Sequence, residues 1–206
     1  MIEVNAMEQE TKRGILVVLS GPSGTGKGTV CGVVRSHLGD AVRYSISATT
    51  RKPRAGEEHG REYFFFSKEK FEALRDQNGF LEWAQVYDNY YGTPRAFVEE
   101  VLASGKDCIL EIDPQGALQV RKAADEAVLV FIAPPSLEEL RSRLTGRGTE
   151  SAEEVEKRLS CAESELAYRD KYDYIIINDD VEKAAAKMEA VLLAEKCRSA
   201  RNLDLK

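Results

Sequence analysis

Residues 15–30 read ILVVLSGPSGTGKGTV, and this stretch decides the fold. Its first five residues form a continuous apolar run, which predicts a strand buried inside a parallel sheet. Gly21, Gly26 and Lys27 then have the spacing of a phosphate-binding loop, and a helical pattern follows directly. Backbone N–H groups and a helix N-terminus would converge on an anion there, with Lys27 as its counter-charge. The alternative is an ordinary glycine-rich turn with an exposed lysine.

The loop departs from the common phosphate-loop pattern at one position. Gly28 follows the lysine where Ser or Thr usually touches Mg²⁺, and the first hydroxyl comes one residue later, at Thr29. We therefore expect water-mediated rather than direct coordination of a metal ion by this loop.

Beyond the loop, apolar runs alternate with segments of helical period, which predicts an α/β fold with a mostly parallel sheet core and flanking helices. The predicted buried strands are Ile15–Ser20, Cys108–Ile112, Val128–Ala133 and Tyr174–Ile177. The predicted helices are Lys27–His37, Pro94–Ala103, Leu137–Leu144, Ala152–Tyr168 and Val181–Glu195. Two segments break the alternation. Residues 51–91 are basic and then aromatic, which predicts a small β-rich lobe, and the polar residues 145–156 predict a mobile flap.

Composition sets limits on the function. The 206 residues suit one domain with insertions, and 43% apolar residues are enough for a full core. With 29 basic and 35 acidic residues the net charge is −6, so any bound anion must be gripped by a local cluster. This argues against a general nucleic-acid-binding surface.

The cysteines and the N-terminal residues indicate the compartment. The four cysteines form no CxxC pair and only two histidines could join them, so neither a zinc site nor a disulfide framework is predicted. Residues 1–13 are polar, which indicates neither a secretory signal nor a membrane span. We therefore expect a cytoplasmic protein without a membrane partner.

Asp113 directly follows the predicted strand Cys108–Ile112, at the edge where α/β proteins bind ligands. It could orient Mg²⁺ or a basic side chain there. Glu111, two residues earlier, faces the same side, which predicts a buried carboxylate pair. The alternative is that Asp113 only caps the following helix.

Eight segments combine into a specific pattern: GPSGTGK (21–27), SATTRKPRAGE (47–57), YFF (63–65), LEWA (81–84), YYGT (90–93), EIDPQG (111–116), GRGTE (146–150) and NDD (178–180). On these segments the chain resembles the guanylate kinase family over nearly its whole length. The resemblance implies a single domain over residues 1–206 with three parts. These are a P-loop core at about 14–46, 94–140 and 171–198, a GMP-binding lobe at about 47–93, and a mobile lid at about 141–170.

The resemblance implies phosphoryl transfer from ATP to GMP, giving ADP and GDP, in purine nucleotide metabolism and GMP recycling. Mg²⁺ is the implied cofactor, held mainly by ATP phosphates and water, and dGMP is a further expected acceptor. We expect a monomer or small homo-oligomer with no nucleic-acid partner. Two alternatives stay open: a catalytically inactive guanylate kinase-like module that binds peptides, and a kinase for another base. The phosphate loop, complete apart from Gly28, argues against the first, and Glu82 argues against the second.

For GMP, the resemblance assigns the phosphate to Ser47, Arg51, Arg54, Tyr63 and Tyr91, the base to Glu82 and Thr93, and a further contact to Asp113. Guanidinium forks, hydroxyls and phenols all donate hydrogen bonds to phosphate oxygens. Glu82 would accept from guanine N1–H and N2–H, whereas adenine would leave its carboxylate unpaired. The alternatives are a solvated basic loop at residues 50–54 and surface strand positions for Glu82 and Thr93.

For ATP, the resemblance implies contacts from Gly21, Pro22, Ser23, Gly24, Thr25, Gly26, Lys27, Gly28, Thr29, Arg143 and Asn178. The implied catalytic residues are Lys27, Arg51, Asp113, Arg147 and Arg158. Arg143 and Arg147 are four residues apart, so a helical path would place both on one side of the lid. Solvated helix charges are the alternative for these arginines.

Overall fold

The computed structural model describes residues 12–146 and 151–202. In chain order, the strands and α-helices of these residues are β1 (Leu16–Ser20), α1 (Lys27–Leu38), β2 (Val42–Tyr44), β3 (Ala48–Thr49), β4 (Phe64–Phe65), α2 (Lys68–Asp76), β5 (Phe80–Val86), β6 (Asn89–Pro94), α3 (Arg95–Ala103), β7 (Asp107–Glu111), α4 (Pro114–Ala123), β8 (Val128–Ala133), α5 (Leu137–Thr145), α6 (Ala152–Leu166), β9 (Tyr174–Ile177) and α7 (Val181–Lys196).

A five-stranded parallel sheet in the order β2-β7-β1-β8-β9 forms the centre of the molecule. Alternate residues of β1 face opposite layers, because side chains alternate along a strand. Val17 and Leu19 pack with α1 and α7, whereas Leu16 and Val18 pack with α3 and α4. Burial on both faces explains the continuous apolar run, and the predicted α/β fold is confirmed.

One predicted strand is less buried than expected. β9 lies at the edge of the large sheet, and Ile175 and Ile177 are 48% and 41% exposed. The neighbouring Ile176 faces the core and is buried. The expectation of burial on both faces was therefore wrong for β9: α7 packs on one face of this strand, whereas α3 and α4, on the other side of the sheet, pack on β7 and β1.

A second, four-stranded sheet in the order β4-β3-β6-β5 is built from the aromatic segment. Phe71 of α2 is fully buried and stacks on Phe80 and Tyr90, with ring centroids 4.3 and 5.3 Å apart. Phe64 and Phe66 also pack on this cluster. These aromatic side chains form a separate small core, as the predicted β-rich lobe requires.

α5 and α6 pack against each other at one side of the large sheet. Leu140 and Leu144 of α5 contact Val155 and Leu159 of α6 in a cluster of their own. The predicted flap overlaps both helices, because α5 ends at Thr145 and α6 begins at Ala152. Residues 147–150 lie outside the described part of the chain.

The described residues include no helix with the length and apolarity that crossing a membrane would require. All four cysteines are unpaired: Cys31 and Cys108 are buried, and Cys161 and Cys197 are exposed. Burial raises the pKa of the Cys31 and Cys108 thiols to about 12. These two thiols therefore act as small apolar core groups.

Candidate active site

The loop between β1 and α1 has the backbone geometry of an anion site. Gly21 and Gly26 have φ angles of +144° and +84°, which favour glycine. A Cβ at Gly21 would lie 2.1 Å from the carbonyl oxygen of Ile132 on β8. α1 begins at Lys27 with no acidic residue in its first turn. The positive field of its N-terminal amides is therefore available to an anion.

Lys27 is folded back along this loop. Its Nζ donates to the carbonyl oxygens of Gly21 at 2.6 Å and Pro22 at 3.0 Å. Burial lowers the pKa of the Lys27 ammonium, and the carboxylates of Glu111 and Glu165 oppose this effect. The two carbonyls thus hold one positive charge at a fixed place on the loop.

Asn178, the residue after β9, contacts the backbone of the phosphate loop. It is 2% exposed, and its Nδ2 donates to the carbonyl oxygen of Thr25 at 2.7 Å. Thr25 is also buried, and its hydroxyl donates to the carbonyl oxygen of Pro22 at 2.8 Å. Asn178 therefore contacts the phosphate loop itself, and the predicted contact with ATP stays a prediction.

The remaining loop residues divide between an open side and a packed side. Ser23, Gly28 and Thr29 are exposed. Gly24 lies against α5, where a Cβ would come within 2.8 Å of Leu144. The helix predicted to begin the lid is therefore in direct contact with the phosphate loop.

Asp113 and Glu111 end β7 beside this loop, but they are not a buried pair. Both side chains are exposed, so the prediction of a buried carboxylate pair was wrong. Asp113 Oδ1 accepts a hydrogen bond of 2.7 Å from the N–H of Gly116 and caps α4. The alternative interpretation, a helix cap, is therefore correct for this oxygen. Exposure at the carboxyl edge of the large sheet still leaves both carboxylates accessible to a ligand.

Glu82 and Thr93 face each other on β5 and β6. Thr93 Oγ1 donates to Glu82 Oε1 at 2.7 Å, and the two residues are 0% and 8% exposed respectively. Burial raises the pKa of the Glu82 carboxyl, the Thr93 hydrogen bond opposes this, and the nearby Asp113 raises it further. The alternative of two surface strand residues is therefore wrong.

Arg51 is oriented by an ion pair and by aromatic rings. Its NH1 and NH2 donate to Glu57 Oε2 and Oε1 at 2.9 and 3.0 Å. The guanidinium carbon lies 5.5 Å from the ring centroid of Tyr63 and 5.7 Å from that of Phe65. Hydrogen bonds to Glu57 and Tyr91 raise the pKa of Arg51. A solvated basic loop does not describe Arg51, whose side chain is only 17% exposed.

The other predicted phosphate contacts lie around this pair. The Tyr63 and Tyr91 rings meet edge to face at 6.1 Å. Ser47 is half-buried, directly before β3. Arg54 is exposed, and its backbone N–H donates to Glu57 Oε2 at 2.7 Å. One carboxylate, that of Glu57, therefore holds both the Arg51 side chain and the backbone at Arg54.

The arginines of α5 and α6 have different environments. Arg143 NH2 donates to the carbonyl oxygen of Asn178 at 3.0 Å, and its Nε donates to Glu139 at 3.0 Å. Arg158 is half-buried on α6. Arg141 forms an exposed ion pair with Glu156 at the surface of the two helices. Arg147 lies outside the described residues, so its predicted place beside Arg143 stays a prediction.

Three residues near these groups were not predicted as site residues. Glu57 holds Arg51, Glu165 of α6 approaches Lys27, and Gln119 of α4 contacts the backbone beside Glu82. Glu57 lies three residues after Arg54, so a search for the partner of a basic loop could have found it. The other two are distant in sequence from the residues they approach and leave no local signal.

Comparison with known proteins agrees with this geometry. The guanylate kinase family model matches residues 13–195. The guanylate kinase of Caldanaerobacter subterraneus subsp. tengcongensis is 55% identical over 194 residues, which is 94% of each chain. That of Halalkalibacterium halodurans is 51% identical over 195 residues, 95% of each chain. The crystal structure of guanylate kinase from Anaplasma phagocytophilum is 33% identical with a TM-score of 0.70, covering 93% of this chain and 90% of its own.

The matched residues run from the strand before the phosphate loop to the last long helix. They include both sheets, the buried pair on β5 and β6, and the whole described loop around Lys27. The resemblance seen in the sequence is thereby confirmed, and the chain belongs to the guanylate kinase family.

Proposed function

We propose that this chain is an ATP-dependent guanylate kinase, which transfers the γ-phosphoryl group of ATP to GMP and gives ADP and GDP. The observation that carries this proposal is the buried Glu82 carboxylate, whose partner Thr93 is a neutral hydroxyl. A buried carboxylate is costly, and guanine offers it the adjacent N1–H and N2–H donors. Adenine would place a bare acceptor there, so we expect rejection of AMP by about 10³-fold.

The phosphate loop is proposed to hold the β and γ phosphates of ATP. The N–H groups at the start of α1 would donate to them, and Lys27 would neutralise their charge from its place against the loop. Arg143, which contacts the Asn178 carbonyl, would lie at the ATP end of the site.

The small sheet is proposed as the GMP-binding lobe. Arg51 would offer its guanidinium fork to the GMP phosphate, together with the hydroxyls of Tyr63, Tyr91 and Ser47 and the exposed Arg54. Ion pairing to Glu57 and packing on Tyr63 already order the Arg51 side chain. Less conformational entropy is then lost when the phosphate binds.

Catalysis is proposed to rest on alignment and on neutralisation of charge. The attacking GMP phosphate is already nucleophilic, so no general base is needed. Lys27, Arg147 and Arg158 would stabilise the transferring group. α5 and α6 would form the lid, and its closure would exclude water that otherwise hydrolyses ATP.

The residues beside the loop fit Mg²⁺ as the cofactor. Glu111, Asp113 and Thr29 expose oxygen atoms, the ligand type that Mg²⁺ prefers, at the carboxyl edge of the large sheet. Mg²⁺ held there, mainly by ATP phosphates and water, would supply positive charge against the negative charge that develops during transfer. Asp113 would orient the ion or its water, while its Oδ1 also caps α4.

Two exposed, unpaired cysteines support a cytoplasmic location.

A coupled assay of ADP formation with ATP and Mg²⁺ tests the proposal, with GMP, dGMP, AMP, CMP and UMP as acceptors at matched concentration. Turnover restricted to the guanine nucleotides is the expected result. If every acceptor were inert while GMP still bound in calorimetry, the chain would be a binding module instead. Equal turnover of AMP would refute the assignment of Glu82.

A further inference from the structure

We propose that Gln119 is a positioning residue for guanine recognition: it holds the backbone of Trp83 and thereby sets the direction of the Glu82 carboxylate. This inference rests on the proposed function. By this proposal, one face of α4, a helix that packs on the large sheet, contributes to base specificity in the small sheet.

The Gln119 side chain forms two hydrogen bonds with one backbone position. Its Oε1 accepts from the N–H of Trp83 at 3.1 Å, and its Nε2 donates to the Trp83 carbonyl oxygen at 3.1 Å. β5 is an edge strand of the small sheet, paired only with β6. The Gln119 amide therefore satisfies the open edge at Trp83 as a neighbouring strand would. Two bonds fix both the position and the rotation of the strand there.

This position controls Glu82 because the strand is irregular just before it. The register of β5 on β6 shifts between Phe80 and Glu82, and Trp83 is the first residue after Glu82. A bulge loosens the ladder and increases the local twist, so β6 alone leaves the rotation of this segment weakly defined. Rotation at Trp83 would turn the Glu82 carboxylate directly.

The same face of α4 also lies against the carboxylate itself. Asp113, Gly116 and Gln119 are three residues apart and share one side of the helix. A Cβ at Gly116 would lie 3.2 Å from Glu82 Oε2, so the carboxylate lies against the helix. Gln119 fixes the strand one turn further on. The helix thus defines the place of Glu82 at two points.

The surroundings of the Gln119 side chain allow its two hydrogen bonds with Trp83 to be removed without loss of the fold. A cleft of about 290 Å³ opens beside it and is lined by Trp83, Gln119, Arg75 and Lys122, among others. Water can therefore reach the Trp83 backbone once the amide is gone. A buried polar group without a partner is a usual cause of severe destabilisation, and the substitution would leave none here.

The test is Gln119→Met, which keeps the length of the side chain and removes both hydrogen bonds. We expect KM for GMP to rise about tenfold with KM for ATP unchanged, because the lost contact acts on the base site alone. The ratio of kcat/KM for GMP to that for IMP, which lacks the N2 amine, should fall about tenfold. Gln85→Met is the matched control, since Gln85 also bonds a backbone carbonyl of this hairpin, that of Tyr87. It should leave the ratio unchanged.

A double variant separates positioning from general stability. If Gln119 acts through Glu82, then Glu82→Gln with Gln119→Met should discriminate GMP from IMP no worse than Glu82→Gln alone. Additive losses would overturn the inference, as would a Gln119→Met ratio within about twofold of wild type. If Gln119→Met does not fold, Gln119→Ala replaces it in the same cycle, since it also removes both hydrogen bonds and lets water reach the Trp83 backbone from the cleft. If the wild-type protein showed no turnover of GMP, that result would refute the proposed function instead.

Discussion

The hydroxyl of Thr93 and the carboxylate of Glu82 form a hydrogen bond of 2.7 Å inside the small sheet, where no basic side chain pairs with Glu82 among the described residues. Thr93 uses one oxygen of the carboxylate, and the other, Oε2, faces the backbone of Gly116. Burial raises the pKa of Glu82 because the ionised form is poorly solvated. The buried Glu82 carboxylate thus lowers the stability of the folded protein, and such destabilising groups are common at functional sites.

Glu82→Gln should separate stability from function. We expect the free energy of unfolding at neutral pH to rise by about 1 kcal/mol, because a neutral amide is cheaper to bury. We expect kcat/KM for GMP to fall by about 10²-fold or more, because the amide offers guanine a single acceptor. Denaturant unfolding and the coupled assay measure the two effects. Glu163→Gln, at an exposed position on α6, is the control and should change neither.

The pH dependence of that stability difference follows from the raised pKa of Glu82. The native state holds the proton more tightly than the unfolded chain, so stability decreases as the pH rises from the ordinary glutamate pKa to the raised one. Above that range the full cost of the buried charge is present. The advantage of Glu82→Gln should therefore shrink as the pH falls through the same range. An advantage that grew on acidification would contradict the assigned direction.

Lys27→Ala should abolish turnover without unfolding the chain. The ammonium is held by the carbonyls of Gly21 and Pro22, where it would supply the positive charge that faces the outer phosphates of ATP. We expect kcat to fall by at least about 10³-fold, in line with loss of a charge that stabilises the transition state. Thermal unfolding should be nearly unchanged, since burial already lowers the pKa of this ammonium and its removal relieves a desolvation cost.

Lys183→Ala is the control for this variant, because Lys183 is an exposed lysine in the first turn of α7. It removes the same charge at a distance from the loop and should keep full turnover. If Lys27→Ala kept near-normal activity, the assignment of Lys27 as a catalytic residue would be wrong.

Glu57→Gln tests whether Arg51 must be oriented in advance. The carboxylate accepts from both terminal nitrogens of Arg51, and an amide could accept from only one of them. We expect KM for GMP to rise about tenfold with KM for ATP unchanged, because the guanidinium loses its fixed direction over Tyr63. Steady-state kinetics with each substrate varied in turn measures this. A lower KM for GMP would mean that Glu57 competes with the phosphate for Arg51.

Four of the five strands of the large sheet could be predicted because their signals are local, whereas the short edge strand β2 was not predicted. The apolar run of β1 and the glycine spacing after it are adjacent in sequence and sufficient by themselves. α4 entered the sequence analysis only through the alternative that Asp113 caps a helix, and it was not among the helices predicted from periodicity, since Pro114 and Gly116 are poor helix formers in general. In this helix Pro114 occupies the first turn, where its missing N–H costs nothing, and Gly116 makes room for Glu82.

Contacts between distant residues set the limit of the sequence analysis. β9 contains three isoleucines, and Ile175 and Ile177 are exposed because α3 and α4, on that side of the sheet, pack on β7 and β1 and not on this edge strand. Glu82 and Thr93 are joined across two strands, so their pairing came from the family resemblance and not from spacing. The contact of Gln119 with Trp83 spans 36 residues and depends on how α4 meets β5. No local pattern encodes such a contact.

Gly26→Ala should damage the phosphate loop through a clash with Asn178. The backbone at Gly26 has a φ of +84°, and an added Cβ would lie 2.6 Å from Asn178 Nδ2. Asn178 would have to leave the Thr25 carbonyl, and that carbonyl would lose its buried donor. We expect a loss of about 2 kcal/mol in the free energy of unfolding and a rise in KM for ATP of about tenfold. Denaturant unfolding and kinetics at saturating GMP measure these effects.

Two further variants identify the clash as the cause. Asn178→Ala removes the obstructing side chain, so the double variant should be less unstable than the sum of the two single variants. Gly32→Ala is the matched control inside α1, where a Cβ would meet nothing within 4 Å. It should stabilise the chain by up to about 1 kcal/mol through helix propensity and leave KM for ATP unchanged. Strict additivity of the first pair would mean that backbone strain at Gly26, and not Asn178, accounts for the loss.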